Sequence, residues 1–248
     1  MNIFGRQSVS EALKAKSRSI EKIFVTHDAK GAILDEIRHL AHLQRIPVHL
    51  VSKKFLNNIT SNANNQSVVA VVPEQKYVDV YDLIQNAKEK NKSPFILILH
   101  EFQDPHNFGA VLRTADACGV DGVIIGKHRC VGITPAVIKV SAGAAEYIPV
   151  TQAANISYTI EHLKEDGFKI FAADAKGEKN YYDVDLKGPI ALVLGSEEKG
   201  LTQHIKEKCD YLVKIPIVGR VSSLNVSVAG GILMYEAYRQ RNLIPNPL

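Results

Sequence analysis

The stretch Lys214–Arg241, K-I-P-I-V-G-R-V-S-S-L-N-V-S-V-A-G-G-I-L-M-Y-E-A-Y-R-Q-R, joins the end of a strand to a polar turn and a helix. Pro216 terminates the strand, because proline cannot donate a hydrogen bond to a neighbouring strand. From Val226 onward, apolar residues recur at helical spacing. The adjacent Gly230 and Gly231 each cost a helix about 1 kcal/mol relative to alanine. A helix that carries this cost predicts a second backbone packed very closely against it.

The region from Pro94 onward alternates strands with helices. The segments F-I-L-I-L at 95–99 and I-A-L-V-L at 190–194 are apolar at every position, which is typical of strands covered on both faces of a parallel sheet. Helices are predicted over 135–140 and 156–165 and again after Leu201. This alternation predicts an α/β fold with a parallel sheet.

The first third of the chain shows the same alternation in shorter elements, which predicts a second, smaller α/β layer. Ser8 or Ser10 is predicted to cap its first helix. A charged stretch follows Pro73 and ends before Pro94, and it predicts a linker with one short helix. We therefore predict a small domain over 1–75, a linker over 76–93 and a larger domain over 94–248.

The basic excess lies wholly in the first part of the chain. Residues 1–93 hold 14 Lys and Arg against 9 Asp and Glu, a net charge of +5. Residues 94–248 hold 16 against 17, a net charge of −1. This division favours a polyanion, such as RNA, as a partner of the smaller domain.

Several other classes of protein find no support in the sequence. No apolar run approaches the roughly 18 residues of a membrane span, and the first residues lack the apolar core of a signal peptide, so we expect a cytoplasmic protein with no membrane partner. The cysteines are three in number, far apart and without a C-x-x-C, which favours reduced thiols. His39 and His42 have ligand-like spacing, but no third ligand is apparent, so we expect no metal.

The turn after residues 190–194 reads G-S-E-E-K-G-L-T, Gly195–Thr202, and has the frame of a phosphate-binding loop. Leu201 stands where that loop needs its lysine, and Glu197 and Glu198 would repel a triphosphate. No G-x-G-x-x-G follows a strand, so dinucleotide binding has no support either. Carboxylates in a glycine-hinged turn suit a cationic, donor-rich ligand, such as a sulfonium that carries an α-amino group and an adenine.

The turn Q-D-P-H-N-F-G-A-V-L-R, residues 103–113, leads from a loop into a helix. It places Asn107 near the helix start and Arg113 six residues later, within side-chain reach of the loop. The arginine offers a fork of donors for a phosphate or carboxylate, and the asparagine both donates and accepts hydrogen bonds. An asparagine cap followed by a surface arginine would produce the same pattern.

Together these turns resemble three motifs of the SpoU (TrmH-like) family of RNA ribose 2′-O-methyltransferases. The motifs are N-x-G-x-x-x-R at 107–113, L-G-S-E-x-x-G-L at 194–201 and I-P-I-x-G-x-x-x-S-L-N-V-S-V-A at 215–229. The segments G-R-Q-S-V-S-E-A-L and V-V-A-V-V-P resemble the family's small ribosomal-protein-like substrate-binding domain. That domain is most similar to the branch that methylates a guanosine of 23S ribosomal RNA. Two departures are N-N-Q-S at 64–67, where H-Q-G is more usual, and Glu198, which replaces a frequent glycine.

The resemblance implies a SPOUT-type methyltransferase domain with a trefoil knot near its C-terminal end, which is a rare exception to unknotted chains. It implies that the knotted loops bind S-adenosylmethionine, and that the protein is a homodimer with its active site near the interface. By the same analogy, Gly195, Ile215 and Leu224 hold the cofactor largely through backbone groups.

The resemblance also assigns Asn107, Arg113, Glu197, Ser223 and Asn225 to the reacting ribose. The proton acceptor stays open between Arg113 and Glu197, although a guanidinium hardly loses its proton in a protein. The implied substrate is a guanosine ribose in 23S ribosomal RNA. Methylation of transfer RNA by the same chemistry, or RNA binding without catalysis, are the alternatives.

Overall fold

The computed structural model describes residues 1–220 and 222–242. The strands are β1 (Asn2–Phe4), β2 (Lys22–Thr26), β3 (Val48–Val51), β4 (Val68–Val71), β5 (Phe95–Leu99), β6 (Gly122–Gly126), β7 (Val150–Ala153), β8 (Lys169–Ala173), β9 (Lys179–Asn180), β10 (Ile190–Leu194) and β11 (Tyr211–Lys214). The helices are α1 (Arg6–Ala15), α2 (Ala32–Leu43), α3 (Lys53–Ile59), α4 (Val80–Lys90), α5 (Pro105–Ala117), α6 (Pro135–Val140), α7 (Ile156–Glu165), α8 (Gln203–Lys208) and α9 (Val226–Asn242).

The described residues form two compact units, which divide the chain differently from the predicted boundaries. The first unit contains residues 1–76 together with 132–147, and the second contains 77–131 and the described residues from 148 to 242. Within the first unit, the segment 132–147 is joined to the earlier residues by side chains. The hydroxyl of Ser8 donates to the carbonyl oxygen of Ile138 at 3.2 Å, and Arg18 forms an ion pair with the buried carboxylate of Glu146.

The first unit is built on a mixed sheet in the order β1-β4-β2-β3, in which β2 and β3 are parallel and the other pairs antiparallel. Leu56 of α3 packs with Phe4 and Val69 on one face of this sheet.

The prediction that Ser8 or Ser10 caps the first helix is wrong. Gly5 is the N-cap of α1, and both serines are buried within the helix, where Ser10 donates to Glu36 at 2.9 Å.

The second unit contains a sheet in the order β7-β6-β5-β10-β8-β11-β9, in which every described pairing is parallel. Every residue of β5 and β10 is buried, because helices cover both faces. The prediction of an α/β fold with a parallel sheet is confirmed. The knot that the family resemblance implies stays a prediction.

The stretch predicted as a linker contains α4, which is part of the second unit. Asp79 caps this helix by accepting a hydrogen bond from the backbone N–H of Tyr81 at 2.8 Å. Leu83, Ile84 and Ala87 project from one side of α4 into the core of the parallel sheet. The charged residues that suggested a linker occupy the other side, as in any amphipathic surface helix.

Within the described chain, the close neighbour of the glycine pair in α9 is a side chain, and a backbone from a partner chain stays a prediction. A Cβ at Gly230 would lie 2.7 Å from Cδ1 of Leu194, so its close neighbour is a side chain of β10 and not another backbone. At Gly231 a Cβ would lie 3.7 Å from the methyl group of Thr114, which is an ordinary contact. Of the two glycines, only Gly230 is therefore required by packing against the described residues.

No helix among the described residues has the length and apolar character needed to cross a membrane.

Candidate active site

The three motifs meet at one place on the parallel sheet. The chain runs outward from β5 through β6 to β7, then returns to form β8 and β10 on the other side of β5. Loops that follow the neighbouring strands β5 and β10 therefore diverge from a common point, which is where open α/β sheets bind ligands. A cavity of about 260 Å³ lies there, between residues 101–107 and the turn 196–199.

Asn107 enters this site from the first turn of α5. The sequence D-P starts the helix, with Asp104 as N-cap and Pro105 in the first turn. The Asp104 carboxylate accepts from the backbone N–H of His106 at 2.9 Å. The interpretation of Asn107 as a helix cap is therefore wrong. Asn107 is a buried residue whose side chain is free to bond outside its own helix.

Asn107, Glu197 and Asn225 form a closed hydrogen-bonded cluster. One carboxylate oxygen of Glu197 accepts from Nδ2 of Asn107 at 2.7 Å, and the other accepts from Nδ2 of Asn225 at 2.9 Å. Nδ2 of Asn225 also donates to Oδ1 of Asn107 at 3.0 Å. Two amides from elements far apart in sequence thus hold one carboxylate in a single orientation at the cavity wall.

The orientation of the Asn225 amide is set by α9. Its Oδ1 accepts from the backbone N–H groups of Ser227 at 2.9 Å and Val228 at 3.3 Å, so Asn225 caps the helix. Only an oxygen can accept these bonds, and the Nδ2 group is consequently directed toward Glu197. Asn225 therefore both starts α9 and orients the carboxylate.

The turn that carries Glu197 depends on its glycines. Ser196 and Gly200 exchange backbone hydrogen bonds of 3.1 and 2.9 Å, which folds the turn back on itself. A Cβ at Gly195 would lie 2.3 Å from the backbone carbon of Gly200. Gly200 itself has φ +62°, which favours glycine. The turn can adopt this shape only with glycine at 195.

Beside the cluster lies a second cavity of about 440 Å³, which all three residues predicted to hold the cofactor help to line. Gly195 follows β10, while Ile215 and Leu224 belong to the segment between β11 and α9. Ala229 and Leu233 of α9 add apolar surface to the same wall. The cavity thus has an apolar wall beside the tightly folded turn 195–200.

Asp174 and Lys206 also line this cavity and were missed in the sequence. They form an ion pair across its wall. Burial opposes ionisation of Asp174, but the Lys206 ammonium and the backbone N–H of Lys176 outweigh it and hold the pKa of Asp174 below its ordinary value. Asp174 directly follows β8, whose carboxyl end lies beside that of β10. A carboxylate at that position in the sequence was the signal that could have identified it.

Ser223 and Arg113 are less closely tied to the cluster. Ser223 is exposed and lines the larger cavity beside Leu224. Arg113 is exposed on α5, and the residues that line the two cavities do not include it. The structure therefore brings Asn107, Glu197 and Asn225 into direct contact, places Ser223 nearby and leaves the Arg113 guanidinium outside the hydrogen-bonded cluster.

Comparison with protein families gives two matches that together cover most of the chain. Residues 94–235 match the model described as SpoU rRNA Methylase family. Residues 2–78 match the model described as RNA 2′-O ribose methyltransferase substrate binding. A Bacillus subtilis protein named putative TrmH family tRNA/rRNA methyltransferase YacO is 42% identical over 240 residues, which are 97% of this chain and 96% of the relative.

Solved structures of related proteins share the fold over nearly the full length. The AdoMet-bound rRNA methyltransferase of Sinorhizobium meliloti has a TM-score of 0.80 and 26% identity, covering 98% of this chain and 88% of that one. The SpoU methyltransferase AviRb of Streptomyces viridochromogenes, solved with AdoMet, has a TM-score of 0.81. Its identity is 23%, and it covers 97% of this chain and 89% of its own, so the likeness concerns the fold.

Proposed function

This chain belongs to the SpoU rRNA methylase family, and we propose that it methylates the ribose 2′-hydroxyl of a guanosine in 23S ribosomal RNA. It is an S-adenosylmethionine-dependent RNA ribose 2′-O-methyltransferase of that family. The observation that carries the methyl transfer is the Glu197 carboxylate, held by Asn107 and Asn225 beside a cavity that suits the cofactor. The choice of a 23S guanosine rests on the resemblance of the small domain to that branch of the family.

S-Adenosylmethionine supplies an electrophilic methyl group when it is bound. We assign its binding to Gly195, Ile215 and Leu224, which line the cavity together with Asp174. The site must hold the ribose oxygen in line with that methyl group, exclude water and accept the hydroxyl proton.

Glu197 is our choice for the proton acceptor. A general base must be within hydrogen-bond reach of the proton that it removes, and Glu197 lines both the smaller and the larger cavity. Its two amide donors fix the direction of the carboxylate before RNA arrives, so the protein need not reorder it during the reaction. We assign Ser223, which also lines the larger cavity, to orienting the ribose.

We assign Arg113 to an RNA phosphate rather than to proton transfer. A guanidinium is always protonated in proteins and presents a planar fork of donors that matches a phosphate. Arg113 is exposed and has no bond to the Asn107 cluster, which suits a residue that meets the substrate and not the reacting hydroxyl.

We further propose that the protein acts as a homodimer through α9. Val228, Tyr235 and Tyr238 are 51%, 52% and 43% exposed and lie along one side of this helix. A contiguous exposed apolar stripe on a surface helix is typical of an interface between chains. Asn225 caps the same helix, so a dimer contact there would adjoin the reacting site.

The deciding experiment maps 2′-O-methyl groups in total RNA from cells with and without the gene for this protein. Loss of one methylated guanosine in 23S ribosomal RNA, restored by the wild-type protein and not by Glu197→Gln, is the expected result. Loss of a site in transfer RNA would instead favour the function that the Bacillus subtilis relative's name also includes. An unchanged map, together with no binding of S-adenosylmethionine to the purified protein, would leave only an RNA-binding role.

A further inference from the structure

Three aromatic rings meet at the edge of the sheet in the first unit. Phe24 of β2 and His49 of β3 are partners in register, so their side chains project from the same face of the sheet. Their ring centroids lie 5.8 Å apart at an interplanar angle of 39°. The ring of Phe55, from α3, meets Phe24 edge-on at 5.2 Å and 67°. We call these three side chains the aromatic platform.

Phe55 is not the residue of α3 that is buried against the sheet. That residue is Leu56, which is fully buried with Phe4 and Val69, and Phe24 of the platform is partly buried against the same core. Phe55 is 40% exposed, and His49 is exposed as well. Two exposed rings that share a partly buried neighbour form a patch of the kind that marks a binding surface, unlike an isolated exposed residue.

One lysine lies over a platform ring, and two more directly precede Phe55 in the sequence. The ammonium of Lys22 lies 5.8 Å from the centre of the Phe24 ring. Lys53 and Lys54 open α3 and are both exposed, immediately before Phe55. Rings that offer a flat apolar face, with cations at their margin, match the two chemical parts of a nucleotide, which are a base with a π-face and a phosphate.

We propose that the aromatic platform stacks an unpaired base of the RNA substrate, while Lys53 and Lys54 contact the adjacent phosphates. The inference rests on the proposed function, because that function makes RNA the ligand of the first unit. An unpaired base is required, since the face of a base within a duplex is already covered by its neighbours. The platform therefore selects a loop, bulge or single strand in the substrate.

A tryptophan reporter tests the proposal directly. The chain contains no tryptophan, so Phe55→Trp introduces a single indole into the platform. We expect its fluorescence to be quenched by a single-stranded RNA oligonucleotide and by a hairpin with an unpaired loop, but not by a fully paired duplex of the same sequence. Leu43→Trp, at an exposed position of α2 outside the platform, is the matched control and should not respond. Equal quenching by duplex RNA, or by none of the RNAs, would overturn the proposal.

The salt dependence of RNA binding distinguishes base stacking by Phe55 from phosphate contacts by the lysines. Phe55→Leu should weaken binding of the loop RNA by about 5- to 150-fold, and Phe55→Tyr should restore it, because one stacked base is worth that factor. The slope of log affinity against log salt should stay the same in Phe55→Leu. It should fall by about one in Lys53→Ala, because one phosphate contact is lost. A Phe55→Leu protein with wild-type affinity would contradict the stacking role.

The same variants distinguish failure of this inference from failure of the proposed function. If methylation of ribosomal RNA is confirmed but Phe55→Leu leaves the RNA KM unaltered, only the platform is wrong. If no RNA is methylated but the Phe55→Trp signal still distinguishes loop from duplex, the platform stands and the assigned reaction is wrong.

Discussion

The two halves of the candidate active site are constructed in different ways. The ribose side consists of side chains, because Asn107, Glu197 and Asn225 come from three separate elements and are held by one another's hydrogen bonds. On the side that we assign to the cofactor, a turn closes on itself around Gly195, and we propose that backbone groups do most of the binding there. We therefore expect side-chain replacement to stop the reaction on the first side, and added volume to be most damaging on the second.

Glu197→Gln should have the largest effect on the reaction. The substitution keeps the size of the side chain and removes the carboxylate that we assign as the proton acceptor, so kcat should fall about 10²- to 10⁴-fold. The dissociation constant for S-adenosylmethionine, measured by calorimetry, should change by no more than about threefold, since the turn backbone is unaltered. Glu198→Gln is the matched control and should lower kcat less than tenfold. A large loss of cofactor binding in Glu197→Gln would break the division between the two halves.

Asn225→Ser separates the two roles of Asn225, which are to cap α9 and to orient the Glu197 carboxylate. Serine is a good N-cap, so α9 and the thermal stability should be kept, whereas the donor to Glu197 is lost. We expect kcat to fall about 10-fold or more with little change in Tm. In the double variant with Glu197→Gln the loss should not exceed that of Glu197→Gln alone, because residues that act as a unit are not additive.

Gly195→Ala should have the next largest effect, on the cofactor side. The added Cβ would lie 2.3 Å from the Gly200 backbone, and overpacking of this kind costs about 1–3 kcal/mol. If the turn moves to relieve the contact, the dissociation constant for S-adenosylmethionine should rise about 5- to 150-fold. Gly188→Ala is the control, because a Cβ there meets no described atom within 4 Å. Normal cofactor binding by Gly195→Ala would contradict the view that the turn backbone shapes the cavity.

Arg113→Lys tests whether the ribose side extends beyond the hydrogen-bonded cluster. If Arg113 holds an RNA phosphate through a bidentate fork, lysine keeps the charge and loses the paired geometry. A charge-assisted hydrogen bond is worth about 1.5–3 kcal/mol, so kcat/KM should fall about 10- to 150-fold. Under single turnover, the pH–rate profile should keep its shape. If Arg113 were the base, the limb of the profile that rises as the base loses its proton would move to lower pH in Arg113→Lys, because lysine has a lower pKa than arginine.

Much of this arrangement could be predicted from local sequence, and the rest depends on distant partners. The apolar runs 95–99 and 190–194 predict buried parallel strands, and motifs at the ends of such strands must meet. The D-P pair before Asn107 was readable as the true helix start. By contrast, the grouping of 132–147 with the first unit depends on non-local pairs such as Arg18 with Glu146. The neighbour of Gly230 is likewise a side chain 36 residues away, which no pattern within the helix can identify.

Leu224→Ala should have the smallest effect, and it completes the comparison within the cofactor side. Leu224 lines the cavity but is 40% exposed, so its side chain is removed from water only in part. Full burial of a leucine side chain contributes about 1.5–3 kcal/mol, and the cofactor can cover only the part that is still exposed, which contributes about 0.6–1.2 kcal/mol. The dissociation constant for S-adenosylmethionine should therefore rise less than about tenfold, measured by the same calorimetry. Removing three carbons at 224 is then less harmful than adding one carbon at 195, which is the order that a backbone-built site requires. The reverse order, with Leu224→Ala losing about 100-fold and Gly195→Ala little, would mean that side chains hold the cofactor.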